Sequence, residues 1–218
     1  MICVWKAEFR DLRYHVAMST RTGKVTLRPG GRSARVQAAV HKAVHELTDK
    51  HGRAELTVPL IAARAGVTPS TIYRRWGDLS DLLADVAKEH LRPEGEPAET
   101  GGVKSDLLNW AEQYLDEMTS EIGLAMMRDV LSGSPGGDNP VPCQCAAFTQ
   151  SQIQIILDRG AERGEAVPEA EAVMDGVVAP VIYRTLFGPA PLTPAALADL
   201  VDACMKTARK RRKTAAVS

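Results

Sequence analysis

The sequence predicts an all-α protein. Three observations predict it. Apolar residues recur at helical spacing from Val36 onward, capping residues and glycines punctuate those runs, and strand-like alternation is nearly absent. At 218 residues, the chain suits one medium domain or a small domain joined to a larger one, and 44% apolar content is ample for a core.

The first helix follows from Val36, Val40, Val44 and Leu47, which share one face, and it stops at His51-Gly52. Thr57 precedes "VPLIAARAG", where a threonine cap, an early proline and a closing Gly66 frame a second helix of about two turns. Thr68-Pro69 opens a third in the same manner, ending near Trp76-Gly77. Ser80 is the expected cap of a fourth, "DLLADVAKEHL", with Leu82, Leu83, Val86 and Ala87 on one side.

"RPEGEPAETGG" (92–102) is a Pro/Gly/Glu connector and the expected domain boundary. Further helices are expected over 103–120, 121–132 and 143–163, with "SGSPGGDNPVP" a loop before the last of these. Pro168 is expected to start a helix reaching Phe187-Gly188, and Thr193-Pro194 to cap a final one running toward Arg209. Residues 1–31 form a basic extension expected to be flexible, in which Met18 is a second candidate start. The expected organisation is therefore a 1–31 extension, a 32–91 helical domain, a 103–210 helical body and a 211–218 basic tail.

Formal net charge is zero but unevenly spread. Residues 1–92 hold 16 Lys+Arg against 9 Asp+Glu, whereas 93–205 hold 5 against 18. A basic front half suggests an anionic polymer as partner. The four cysteines, including the C-x-C pair Cys143 and Cys145, read as ordinary reduced thiols, because no second pair or His cluster completes a zinc set. No stretch resembles a signal peptide or is apolar enough to span a bilayer, so a cytoplasmic protein is expected.

The second and third helices, joined around Gly66, form a helix-turn-helix candidate. At about 100° per residue, Ile72 and Trp76 point one way and pack on the preceding helices, while Ser70 and Arg74 point the other, with Thr71 and Tyr73 on the shoulders. Hydroxyls and arginine can read base edges in the major groove, and Tyr or Thr suits phosphates. The alternative is an amphipathic surface helix with a solvated polar face. The basic flank and the paired caps weigh against it. Arg21, Lys24, Arg28, Arg32 and Arg35 read either as a solvated run or as an arm reaching the adjacent minor groove.

"LTVPLIAARAGVTPSTIYRRWGDLSDLLADV" resembles the DNA-binding domain of the tetracycline-repressor family of bacterial regulators. The resemblance covers residues 33–90; beyond them it holds only in plan. It implies a three-helix domain, a connecting fourth helix, and a homodimer that binds a palindromic operator in double-stranded DNA. It puts Thr57 at the phosphate-contacting start of the second helix. Thr68, Ser70, Thr71, Tyr73 and Arg74 fall on the recognition helix. Ser80 stands where the family often has a lysine, and Arg75 is the residue expected to compensate.

In the body, Trp110, Tyr114, Met118, Met126, Met127, Phe148 and Tyr183 are the large or soft side chains, read either as plain core or as walls of a site for a small apolar or amphipathic effector. The last two helices carry more apolar surface than peripheral helices require, and the resemblance implies that they pair across a two-fold axis. No Ser/His/Asp set, carboxylate pair or metal cluster stands out, so neither an enzyme nor a cofactor is expected. His41, His45 and Glu46 lack a third ligand and read as surface residues. A ligand-responsive repressor is the leading reading. A DNA-binding regulator without a small ligand and a helical-bundle enzyme are the alternatives.

Overall fold

The computed structural model describes residues 31–134 and 140–210. The expectations for Arg21, Lys24, Arg28, Cys3 and the 211–218 tail lie outside the described residues.

Four helices make the front of the molecule. α1 (Arg32–His51) stops at Gly52, whose φ of 79° turns the chain while its N–H bonds back to the Thr48 carbonyl at 2.8 Å. A 3₁₀ turn (Arg53–Glu55) leads to α2 (Val58–Ala65), where the Thr57 hydroxyl accepts the Leu60 N–H. Gly66 closes α2 in the left-handed region at φ 68°, ψ 31°, which costs a residue with a Cβ roughly 1–2 kcal/mol. α3 (Pro69–Trp76) and α4 (Leu79–His90) follow. Val40, Val44, Leu47, Ile61, Ile72 and Leu82 fill the core they share.

The cap of α4 is Asp78, not Ser80. The Asp78 carboxylate accepts the Asp81 N–H at 2.8 Å, and Ser80 lies exposed within the first turn. An ionised acceptor near a helix N-terminus is favoured over a neutral hydroxyl. Thr68 precedes α3 in extended conformation, but its hydroxyl bonds the Ser70 and Thr71 hydroxyls, each at 2.9 Å, rather than a helix N–H.

The body consists of α5 (Val103–Thr119), α6 (Glu121–Ser132), α7 (Val141–Glu162), α8 (Ala170–Val173), α9 (Ala179–Phe187) and α10 (Pro194–Met205). α7 begins two residues earlier than expected, with Pro142 in its first turn. The helix expected from Pro168 starts at Ala170 and passes through a π-helical turn, Met174–Val178, before α9. The last helix ends at Met205 rather than near Arg209. Instead β2 (Arg209–Lys210) pairs antiparallel with β1 (Ala166–Val167), a two-residue exception in an all-α fold. Leu107, Ile153, Ile156, Leu157, Val181 and Leu197 centre this second core.

The connector is strapped down along α5 and α7. The Gln152 amide donates to the Gly95 carbonyl and the Arg159 guanidinium to the Pro97 carbonyl, at 3.0 and 2.7 Å. Thr100 donates its N–H and hydroxyl to Asp106, which also receives Arg163 at 3.0 Å. Asp106 is almost wholly buried, which would raise its carboxyl, but the donors from Thr100 and Arg163 outweigh burial and hold it low.

Front and body meet where α4 lies along α6. The Ser134 N–H donates to Asp81 at 2.6 Å, and a Cβ on Gly133 would come within 2.7 Å of the Ala84 Cβ, so a glycine permits the approach. Arg53, in the 3₁₀ turn, forms an ion pair with the buried Asp129 of α6.

Candidate functional site

α2, the Gly66 turn and α3 form a helix-turn-helix whose second helix is amphipathic in the expected sense. Ile72 and Trp76 are buried. Ser70, Tyr73 and Arg74 are exposed, and Thr71 is half-buried on the shoulder. Thr57, Thr68 and Ser80 are also exposed, as are Arg32 and Arg35 at the start of α1. Thr57 and most of the polar α3 residues are therefore open to solvent. Arg75 stands apart from them. Its guanidinium turns back to α1, donating to the Ser33 carbonyl and hydroxyl at 2.9 and 2.7 Å and to Gln37 at 2.6 Å, with the Trp76 ring 5.0 Å away. Arg75 thus ties α3 to α1.

Behind α3 sits Asp85, which sequence reasoning missed. One carboxylate oxygen accepts from the Trp76 indole N–H at 2.9 Å, His41 at 3.0 Å and the Gln37 amide at 3.1 Å; the other accepts from Lys88 at 2.5 Å. Burial would raise this carboxyl. The hydrogen bonds from His41, Lys88 and Trp76 outweigh it and hold the group well below the usual carboxylate range. Three helices are thereby fixed to one charge. His41 is a half-buried partner of Asp85 and not the surface residue expected, because the α4 carboxylate faces it. Glu46 pairs with Arg64 instead. Among the described residues no group of three or more His, Cys, Asp or Glu is placed to hold a metal ion. Nor is any helix among them long and apolar enough to cross a membrane.

The body contains a cavity of about 490 Å³ between α5, α6, α7 and the π-turn–α9 segment. Trp110, Tyr114, Met118 and Met127 line it. The other three expected wall residues do not. Met126 lies one position round α6 from Met127, Phe148 packs beneath the Arg92 guanidinium at 6.0 Å, and Tyr183 is exposed on α9 against Phe187. Leu131, Met174, Val178 and Ile182 complete the apolar wall in their place. Of the thiols, Cys145 lines the cavity, Cys143 is exposed and Cys204 is buried.

Both halves match known families. Residues 42–86 match the bacterial regulatory proteins of the tetR family, and residues 97–204 match the tetracyclin repressor-like C-terminal domain. The chain belongs to the tetracycline-repressor family. An HTH-type transcriptional regulator of Mycobacterium tuberculosis is 29% identical over 161 residues, covering 72% of this chain and 79% of its own. AqdR of Rhodococcus erythropolis, another HTH-type transcriptional regulator, is 29% identical over 109 residues, 48% of this chain and 51% of its own. The TetR family transcription regulator SCO0332 superposes with a TM-score of 0.56 at 21% identity, covering 79% of this chain and 98% of that one. Thermus thermophilus FadR, a TetR family transcriptional repressor in complex with lauroyl-CoA, superposes with a TM-score of 0.50 at 18% identity, over 78% and 91% of the two chains. These two superpositions speak to the fold.

This tetracycline-repressor family member is a DNA-binding transcriptional regulator in the general sense of its family. The helix-turn-helix lies within the amino-terminal match and the cavity largely within the carboxy-terminal one.

Proposed function

We propose that this regulator is a homodimeric repressor, released from a palindromic operator when a small apolar or amphipathic molecule enters the cavity. Ser70 and Arg74 read base edges, while Thr57, Thr68, Thr71, Tyr73 and Ser80 hold phosphates and set register. Arg32 and Arg35 add charge beside them. Arg75, held by α1, steadies the recognition helix.

Helix α6 carries this reading. Met127, Val130 and Leu131 stand on the cavity wall. From the same helix Asp129 holds Arg53, and just past its end Ser134 holds Asp81. A ligand that prefers a shifted α6 therefore moves the residues that seat the DNA-binding head, and lowers DNA affinity by its differential binding.

The α9 flank supports a dimer. Tyr183 and Phe187 are 64% and 73% exposed and lean on one another at 5.5 Å. Contiguous apolar surface left bare is where association surfaces form, and this pair extends such a strip. Two copies related by a two-fold axis would set recognition helices about one turn of DNA, roughly 34–36 Å, or a multiple of it apart.

Genome-wide capture of bound DNA followed by footprinting tests this. The expected result is paired inverted half-sites whose protection is lost on adding ligand. Protection of single, unpaired sites by a monomer would overturn the dimer, and no sequence preference over scrambled competitor at low salt would overturn the whole reading.

A further inference from the structure

We propose that the effector is a lipophilic cation: a protonated amine or quaternary ammonium carried on an apolar chain or ring. The proposal rests on the reading of the cavity as the effector site and names the class of molecule it selects.

The walls carry an uneven charge. Glu94 and Glu117 stand at the cavity together with a single guanidinium, Arg92. Both carboxylates are exposed, which places them at the rim. Among the described residues no cation forms a salt bridge with either. Arg92 is already engaged, pairing with Glu89 at 3.4 Å and lying over the Phe148 ring. The cavity mouth is therefore net negative.

The interior is apolar and carries no positive charge of its own. The Tyr114 phenol is pushed up to about 12, first by burial, with the Glu117 charge adding to the rise against an opposing hydrogen bond from Thr149. Burial also raises the Cys145 thiol. Both groups are neutral, so the interior offers no positive charge to an anionic guest; burial resists a charge of either sign, and of the causes only the Glu117 charge favours a cation over an anion. A cationic head is therefore best placed at the rim beside Glu117, with its apolar body inside.

The shape suits an apolar body behind such a charge. Trp110 and Tyr114 stack with ring centres 5.2 Å apart and planes 19° from parallel, offering π-faces to a cation. Met118, Met127 and Met174 give adaptable walls for a chain or ring. The wider field agrees, since 93–205 holds 5 lysines and arginines against 18 aspartates and glutamates and draws cations toward the body. A multiply phosphorylated ligand would find only Arg92 to meet it on these walls.

Calorimetric titration of the full chain with three probes of equal chain length tests this: decyltrimethylammonium, decyl sulfate and decanol, each below its micelle concentration. The ammonium is expected to bind on the order of tenfold or more tighter than the sulfate. Glu94→Gln/Glu117→Gln should collapse that preference and leave decanol unchanged. Ala146→Trp, on an exposed wall position, should block all three. Equal or tighter sulfate binding, or a preference that survives the double substitution, refutes the cation class while leaving the cavity as an effector site. Ammonium binding that survives Ala146→Trp assigns it to the acidic surface and also refutes the class. Binding of none of the three overturns the cavity reading itself, and this proposal with it.

Discussion

Asp85→Asn should loosen α3 without touching any residue proposed to face DNA. The aspartate accepts four donors from three helices. An asparagine oxygen in place of the busier carboxylate oxygen can still accept from Trp76, His41 and Gln37, but as a neutral group. Its NH2 then confronts the Lys88 ammonium. Hydrogen bonds to a charged group contribute about 1.5–3 kcal/mol and neutral ones about 0.5–1.5. The combined weakening, with Lys88 left unpartnered, amounts to about 2–4 kcal/mol. Asp85 is only 16% exposed, so solvent screens little of this. Urea denaturation followed by tryptophan fluorescence reads the loss, because the Trp76 indole is one of the donors. Operator affinity should fall similarly for all sequences, since α3 loses its seating and keeps its contacts. The pH dependence has a definite sign. A carboxyl held low in the folded state stabilises fully above its unfolded value near ~3.9, and that contribution is lost as pH falls through the folded value. The gap between wild type and Asp85→Asn should therefore be widest above pH ~4 and narrow below it. An unchanged denaturation midpoint at neutral pH would refute the reasoning.

Ile72→Ala empties a fully buried position beneath α3 and should cost about 2–5 kcal/mol, read as a lower denaturation midpoint. In gel-shift titrations Tyr73→Phe should weaken binding to all sequences alike, whereas Ser70→Ala or Arg74→Ala should relax discrimination at particular positions by about 1–3 kcal/mol. Arg53→Ala strands the buried Asp129 and should destabilise by about 1–3 kcal/mol, less than for a fully buried pair because Arg53 is 44% exposed. Adding Asp129→Ala should recover part of that loss; a purely additive double variant in thermal unfolding would sink the coupling.

The front of the molecule was legible because its rules are local. Ile72 and Trp76 are four residues apart, and one helical period predicts their common burial. Gly52 and Gly66 sit where a left-turning backbone has to be. Asp85 was not legible, since its partners Gln37 and His41 lie 48 and 44 residues away and leave no pattern in the nearby sequence. Ser80 was a near miss: two cap-competent residues stand two positions apart, and only the backbone shows which one precedes the helix. The cavity walls failed in a third way. Met126, Phe148 and Tyr183 have the side-chain character of cavity walls, but character does not tell which way a helix with two apolar sides is turned. Met174, Val178 and Ile182, plain in composition, were the ones turned inward.

The π-turn and α9 give one rod two duties. Met174, Val178, Ile182 and Leu186 border the cavity, while Tyr183 and Phe187 stand bare on the next strip of the same rod. A bulky guest pressing on the inner strip would push on the outer one as well. In a symmetric pair the molecule's size would then be transmitted as a change in how two copies sit against each other, without any route through the DNA-binding head.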